Sequence, residues 1–239
     1  MAQARKRFGR VRRLTDIESA RPGVALQWGC SMFASFDETA RAIRATGRRL
    51  EALGLASATS GNYSARLAGD RVAITVSGRP KGRLRAQDVM LLDGVGGALD
   101  DRKPSAESAL HTALYRLYPW VGAVLHVHSV AAVTLTRYRH AAAELVLEGY
   151  EMLKAFPGIS THATALRIPI FENSQDLTAM AASVVERLRS ISAVPAFLIR
   201  GHGAYGWGKD LDEAERIIEG LEHLLRCELE TLRLRASKS

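Results

Sequence analysis

Cysteine is nearly absent from this chain: Cys30 and Cys227 are the only two in 239 residues. Two thiols cannot build a disulfide framework, so a reducing cytoplasm is the expected setting. Long apolar runs are also missing. None approaches the roughly 18 residues that a membrane-spanning helix needs. No internal repeat and no low-complexity linker follows residue 36. Apolar residues make up 47% and charged residues 24%, a globular balance that excludes wholesale disorder, collagen-like repeats and long coiled coil. At this length one domain with a sizeable core is expected.

Acidic residues are scarce at one end. Residues 1–23 carry seven basic side chains against Asp16 and Glu18, which places +5 of the chain's net +8 there. The basicity therefore belongs to an arm and not to the folded body. The arm has no aromatic interleaving for stacking on bases, which argues against nucleic acid as a partner. Its apolar stretch, Val24 to Phe36, is interrupted by Gln27, Gly29 and Ser31 and makes a poor signal peptide. Residues 1–36 read as a basic, disordered extension or as a start placed too far upstream. Residues 37–239 read as one catalytic domain.

Within that domain, helical and strand patterns alternate. Residues 37–53 have helical spacing, with Asp37 as cap, Ala40, Ile43, Leu50 and Leu53 on one face, and Gly54 where a left-handed residue ends a helix. Val72 to Val76, Val121 to Val127, 166–170 and 195–199 read as strands. Ser105 to Tyr118, Ser174 to Leu188 and Leu211 to Leu232 read as helices, the last with a stripe of Leu211, Ala214, Ile217, Ile218, Leu221, Leu224 and Leu225. The class is α/β in the broad sense. Periodicity does not order the strands.

The sharpest chemical signal is His126-Val127-His128. Side chains two apart on a strand share a face, so two imidazoles at a strand end can share one metal ion. A lone buried histidine is more often a satisfied core residue. His202, in Arg200-Gly201-His202-Gly203 at another strand end, supplies a third imidazole, with glycines that admit close approach. Three protein ligands with an open fourth position is the pattern of catalytic zinc, though imidazole also suits iron, nickel and cobalt.

Ser105 caps the next helix in this reading and Glu107 lies in its first turn, where the helix dipole favours a carboxylate regardless of function. Its other readings are acid/base or metal neighbour, with His111 one turn on as a hydrogen-bond partner. Two loops, Thr59-Ser60-Gly61-Asn62 and Ser77-Gly78-Arg79-Pro80-Lys81-Gly82, combine hydroxyls, glycines and cations in the manner of anion-binding turns, yet each could be an ordinary turn. Glu151 lies among Tyr150, Met152 and Leu153. Desolvated there, its pKa would rise toward the range useful for acid/base work. Phe171-Glu172-Asn173-Ser174-Gln175-Asp176 is a further polar segment without an assigned role.

Taken in order, Ser-Gly-Asn, Ser-Gly-x-x-Lys-Gly, Pro-Ser-x-Glu-x-x-x-His, His-x-His-Ser and Gly-His-Gly resemble the class II aldolase/adducin family over residues 37–235. The resemblance implies a three-layer αβα domain around a largely antiparallel sheet, and a homotetramer with active sites between subunits. It implies one divalent metal per subunit, usually zinc, on His126, His128 and His202. A phosphorylated ketose would be gripped by Asn62, Ser77, Gly78 and Ser105, with Thr59 and Lys81 from the same loops. The stretch Gly149-Tyr150-Glu151-Met152-Leu153-Lys154 resembles a dehydratase branch of the family, in which the acid/base falls on Glu151. The aldolase-type glutamate falls on Glu107. Metal-dependent dehydration is thus the expected activity, with an aldolase or epimerase, or a non-catalytic adducin-like module, as alternatives.

Overall fold

The computed structural model of this chain describes residues 35–191 and 195–237. The basic extension lies outside the described residues except at its last two positions. Among the described residues, eight strands form one sheet in the order β3-β2-β1-β4-β8-β7-β6-β5. The strands are β1 (Asn62–Leu67), β2 (Arg71–Thr75), β3 (Val89–Asp93), β4 (Ala123–Val127), β5 (Glu144–Glu148), β6 (Ala165–Phe171), β7 (Ala196–Ile199) and β8 (Gly203–Gly208). Only β6 and β7 pair in parallel; every other neighbour is antiparallel.

Among the described residues, five α-helices cover the two faces: α1 (Phe36–Ala52), α2 (Ser108–Leu117), α3 (Val130–Tyr138), α4 (Leu177–Ser190) and α5 (Leu211–Ala236). Alternation along the strands divides the core accordingly. Leu125 and Val127 of β4 point to the cluster built on α1, α3 and α5, while Val124 points to the cluster built on α2 and α4. The result is the expected three-layer αβα arrangement around a mostly antiparallel sheet. All seven residues of the expected α5 stripe are buried, each large one worth about 1.5–3 kcal/mol of apolar transfer. No described helix is long and apolar enough to cross a membrane.

Several local expectations shift. The first helix is capped by Ser35 in a reciprocal pair with Glu38, not by Asp37. A serine oxygen facing the third helical N–H, answered by a glutamate, satisfies two orphan donors at once. Leu53 is the C-terminal cap and 44% exposed, off the buried face. Gly54 follows with φ +76°, as the helix end requires. Ser105 does not cap α2; the helix starts at Ser108 with Glu107 in the cap position. The fourth helix starts at Leu177, where Asp176 accepts from the Ala179 N–H.

Candidate active site and metal centre

Strand β4 delivers His126 to the α2 side of the sheet, the same side as Val124. His128 stands just past the end of β4, its N–H donating to the Leu55 carbonyl at 3.1 Å. His202 sits in the turn between β7 and β8. Since β4 pairs with β8, the turn is brought beside the β4 end, and ligating nitrogens of the three imidazoles lie within 4.8 Å of one another. Two glycines permit this. Gly61 has φ +77°, and a side chain there would meet the His126 carbonyl at 2.6 Å; at Gly203 one would meet the Val127 carbonyl at 2.2 Å.

Glu107 reaches the same point. Its Oε2 lies 3.3 Å from His126 Nε2 and its Oε1 lies 3.3 Å from His202 Nε2, while His202 Nε2 and His128 Nε2 are 3.1 Å apart. His126 Nδ1 faces the Ala204 carbonyl at 3.0 Å and must donate to it. Nε2 is then a bare lone pair, buried and without a hydrogen-bond partner. It confronts a carboxylate oxygen, an arrangement that repels unless a cation lies between. Burial, then the neighbouring imidazoles, holds His126 well below the usual imidazole range and lowers His128 in the same way. Neutral imidazoles are the form that ligates. The 3.1 Å between His128 Nε2 and His202 Nε2 is close to the edge of a tetrahedron with metal–nitrogen bonds of about 2.0–2.1 Å, and the His126 nitrogen lies within 4.8 Å of both. These residues fit a divalent metal. Tyr205 fixes the His126 ring from one side, stacked at 4.3 Å and 18°.

Behind Glu107, the Asn62 amide donates to Oε2 at 2.6 Å. His111 does not bond Glu107, as helical spacing suggests. Its Nε2 meets the Asn62 oxygen and its Nδ1 meets Ser64 Oγ at 2.7 Å. Both partners stand on β1, because α2 lies across that strand, and burial lowers the His111 pKa to about 3.

In front of the histidines is a cleft of about 340 Å³. Thr59, Asn62, Ser77, Gly78, Lys81 and Ser105, the expected phosphate set, all line it, together with Glu107, His128 and His202. Asn173, Ser174 and Gln175 form part of its wall, so the segment without an assigned role borders the site. Lys81 is 2% exposed. Its ammonium donates to the Thr59 carbonyl at 2.8 Å and the Arg79 carbonyl at 2.7 Å, tying the two loops together. Desolvation lowers it to about 8, against the opposing pull of Glu107. A second cavity of about 460 Å³ lies between α2 and α4. The only group of three metal-ligating side chains found among the described residues is at the first.

Glu151 departs from expectation. It starts a 3₁₀ turn, Glu151–Ala155, whose Leu153 points into the core. Residues three apart eclipse in such a turn, so Glu151 and Lys154 face outward together. Glu151 pairs with Lys154 at 2.5 Å and with His162 at 2.9 Å. Its pKa is lowered, first by the Lys154 hydrogen bond, and not raised by desolvation. It is not among the residues lining the cleft of its own chain.

Comparison with known proteins agrees with the geometry. A profile of the Class II Aldolase and Adducin N-terminal domain matches residues 41–229. The chain is 51% identical over 197 residues to a methylthioribulose-1-phosphate dehydratase of Marinobacter nauticus, covering 82% of this chain and 95% of that one. It is 50% identical over 193 residues to the enzyme of the same name from Methylococcus capsulatus, covering 81% and 94%. Among solved structures it is similar to the L-fuculose-1-phosphate aldolase of Thermus thermophilus, with a TM-score of 0.68 and 29% identity over 83% of this chain and 96% of that one. The motifs, the αβα layers and the histidine cluster thus have one source: this chain belongs to the class II aldolase and adducin family.

Proposed function

We propose that this chain dehydrates 5-methylthioribulose 1-phosphate to 2,3-diketo-5-methylthiopentyl 1-phosphate, a step of methionine salvage. The observation that carries the reading is the identity of about half of all aligned residues with dehydratases of that name, on a chain whose three histidines gather at one cleft. A divalent cation on His126, His128 and His202, with zinc as the ion that three imidazoles and an open position suit best, supplies Lewis-acid polarisation of the C2 carbonyl and so acidifies the C3 proton.

The chain's own groups do the rest. Thr59, Asn62, Ser77, Gly78, Lys81 and Ser105 hold the phosphate, and binding energy at that distant end positions C3 and C4. Glu151 takes the C3 proton and protonates the departing C4 hydroxyl. Water leaves, and the resulting enol tautomerises to the second ketone. Glu107 is the secondary acid/base candidate. Because Glu151 faces outward in its own chain, it serves the cleft of a neighbouring subunit in a homotetramer. Exposed Met152 beside it, with exposed Tyr138 and Leu234, supports an apolar contact between subunits. Near absence of cysteine supports a cytoplasmic setting.

One observation favours a second reading, an aldolase or epimerase on another sugar phosphate: Glu107, the aldolase-type glutamate, stands against the histidines while Glu151 does not. Incubating the metal-loaded protein with methylthioribulose phosphate and following mass separates them. Loss of one water supports the dehydratase. Release of a three-carbon phosphate supports C–C cleavage and overturns it.

A further inference from the structure

Four consecutive hydrogen bonds link Tyr115 on α2 to Glu107. Tyr115 Oη meets Ser64 Oγ at 2.8 Å, Ser64 Oγ meets His111 Nδ1 at 2.7 Å, His111 Nε2 meets Asn62 Oδ1, and Asn62 Nδ2 meets Glu107 Oε2 at 2.6 Å. With the buried His111 neutral, as its desolvation favours, only one assignment of protons satisfies all of them. An ionised carboxylate can only accept, so the Asn62 amide nitrogen must face Glu107 and its oxygen must face His111. His111 Nε2 must then carry the proton, leaving Nδ1 to accept from the Ser64 hydroxyl. The Ser64 oxygen in turn accepts from Tyr115. Every bond points toward the cleft.

We propose that His111 is a positioning residue that, through Asn62, fixes the Glu107 carboxylate against His126 and His202. The inference rests on the reading of those residues as a metal centre. Asn62 and His111 are 3% and 1% exposed, and His111 does not line the cleft, so no water reaches His111 in place of the Asn62 oxygen. The outer end is anchored as well: the Arg66 guanidinium lies 4.8 Å from the Tyr115 ring centroid and donates to the Tyr115 carbonyl at 2.7 Å. Without the proton on His111 Nε2, the Asn62 amide is free to turn over. Its oxygen would then face the carboxylate and push Glu107 away. The geometry makes the imidazole tautomer, and not merely its bulk, the thing that matters.

The test compares His111→Leu, which keeps volume and removes the donor, with His111→Gln, which offers an N–H to Asn62. Each is loaded with zinc. Steady-state rates are measured on methylthioribulose phosphate, and zinc affinity is measured by chelator competition. His111→Leu is expected to lower kcat by about 10–100-fold with KM within about twofold of wild type, and to weaken zinc by about tenfold. His111→Gln is expected to restore most of both. Wild-type kcat and zinc affinity in His111→Leu would overturn the proposal, as would equal deficits in the two variants. Should His111→Leu fail to fold, Ser64→Ala removes the donor that holds the tautomer. It is expected to move kcat and zinc affinity in the same direction, and no change in either would overturn the idea. Failure of the wild type to turn over this substrate would sink the proposed function, while chelator competition would still decide the role of His111.

Discussion

Asn62 donates its side-chain amide to the Glu107 carboxylate across 2.6 Å. One of its two N–H bonds is therefore committed inside the protein, and only the other can meet a substrate. A residue that the family resemblance places among the phosphate ligands also holds Glu107 beside the histidine cluster. The two ends of the cleft, the proposed phosphate grip and the proposed metal site, share this side chain.

Removing His126 should abolish metal binding. In His126→Ala the buried nitrogen and the carbonyl bond that orients it are both lost, leaving two imidazoles. Metal analysis after exhaustive dialysis is expected to find near-background zinc in the variant. About one zinc per chain is expected in wild type. Full occupancy in the variant would show that the centre lies elsewhere.

Glu151→Gln should keep metal and assembly while cutting turnover by about 10²–10⁴, the range for a lost acid/base. The subunit-sharing arrangement adds a sharper check. Glu151→Gln and His126→Ala chains, each inactive alone, are unfolded together and reassembled. Sites that combine an intact histidine set with an intact neighbouring glutamate should recover about a quarter of wild-type activity in a random mixture. No recovery, with mixed tetramers demonstrated by mass, would place Glu151 in its own chain's cleft or outside the reaction.

Lys81→Met keeps the buried stem and deletes the charge that ties Thr59 to Arg79. KM for the phosphorylated substrate should rise at least about tenfold, since each 1.4 kcal/mol is a factor of ten, with a smaller change in kcat. In wild type, the lysine falls to about 8 through burial, so its charge disappears as pH rises through that value. KM should therefore climb above about pH 8 in wild type and stay flat in the variant over the same range.

Acid should destabilise the metal-free protein through His111. Burial lowers this imidazole to about 3 in the fold, against about 6.5 when unfolded. Between those values the unfolded chain binds more protons, so stability falls as pH drops from about 6.5 toward 3. The slope is about 1.4 kcal/mol per pH unit from this group. Urea titrations at pH 7 and pH 5 should show that loss. His111→Gln should lessen the slope by about that amount; an unchanged slope would place the acid sensitivity in other groups.

The site is more legible in the sequence than the fold around it. Six positions expected to contact phosphate do line one cleft, and three distant histidines do meet, because both sets lie in ordered motifs with fixed spacing. Strand β8 is not legible. Its sequence, Gly-Ala-Tyr-Gly-Trp-Gly, carries three glycines, which disfavour strands. The glycines answer a neighbour: a side chain at Gly206 would meet the Ile218 side chain of α5 at 2.8 Å. Helix α3, rich in valine and threonine, also escapes the pattern. It is set by Ser129, which accepts from the Ala132 N–H and bonds Glu222 on α5, a partner 93 residues away.

What the sequence alone determined is the chemistry on offer: three imidazoles, a glutamate at a helix start and two loops of hydroxyls, glycines and cations, each legible from residue type and spacing. Only the tertiary structure decided which of these face one another. Antiparallel pairing of β4 with β8 is what carries His202 to His126, and the crossing of α2 over β1 is what gives His111 to Asn62 in place of Glu107. It also turned Glu151 outward, because in a 3₁₀ turn the burial of Leu153 leaves the carboxylate on the opposite side. Spacing fixes which side chains share a face, but a face acquires a partner only when the chain packs.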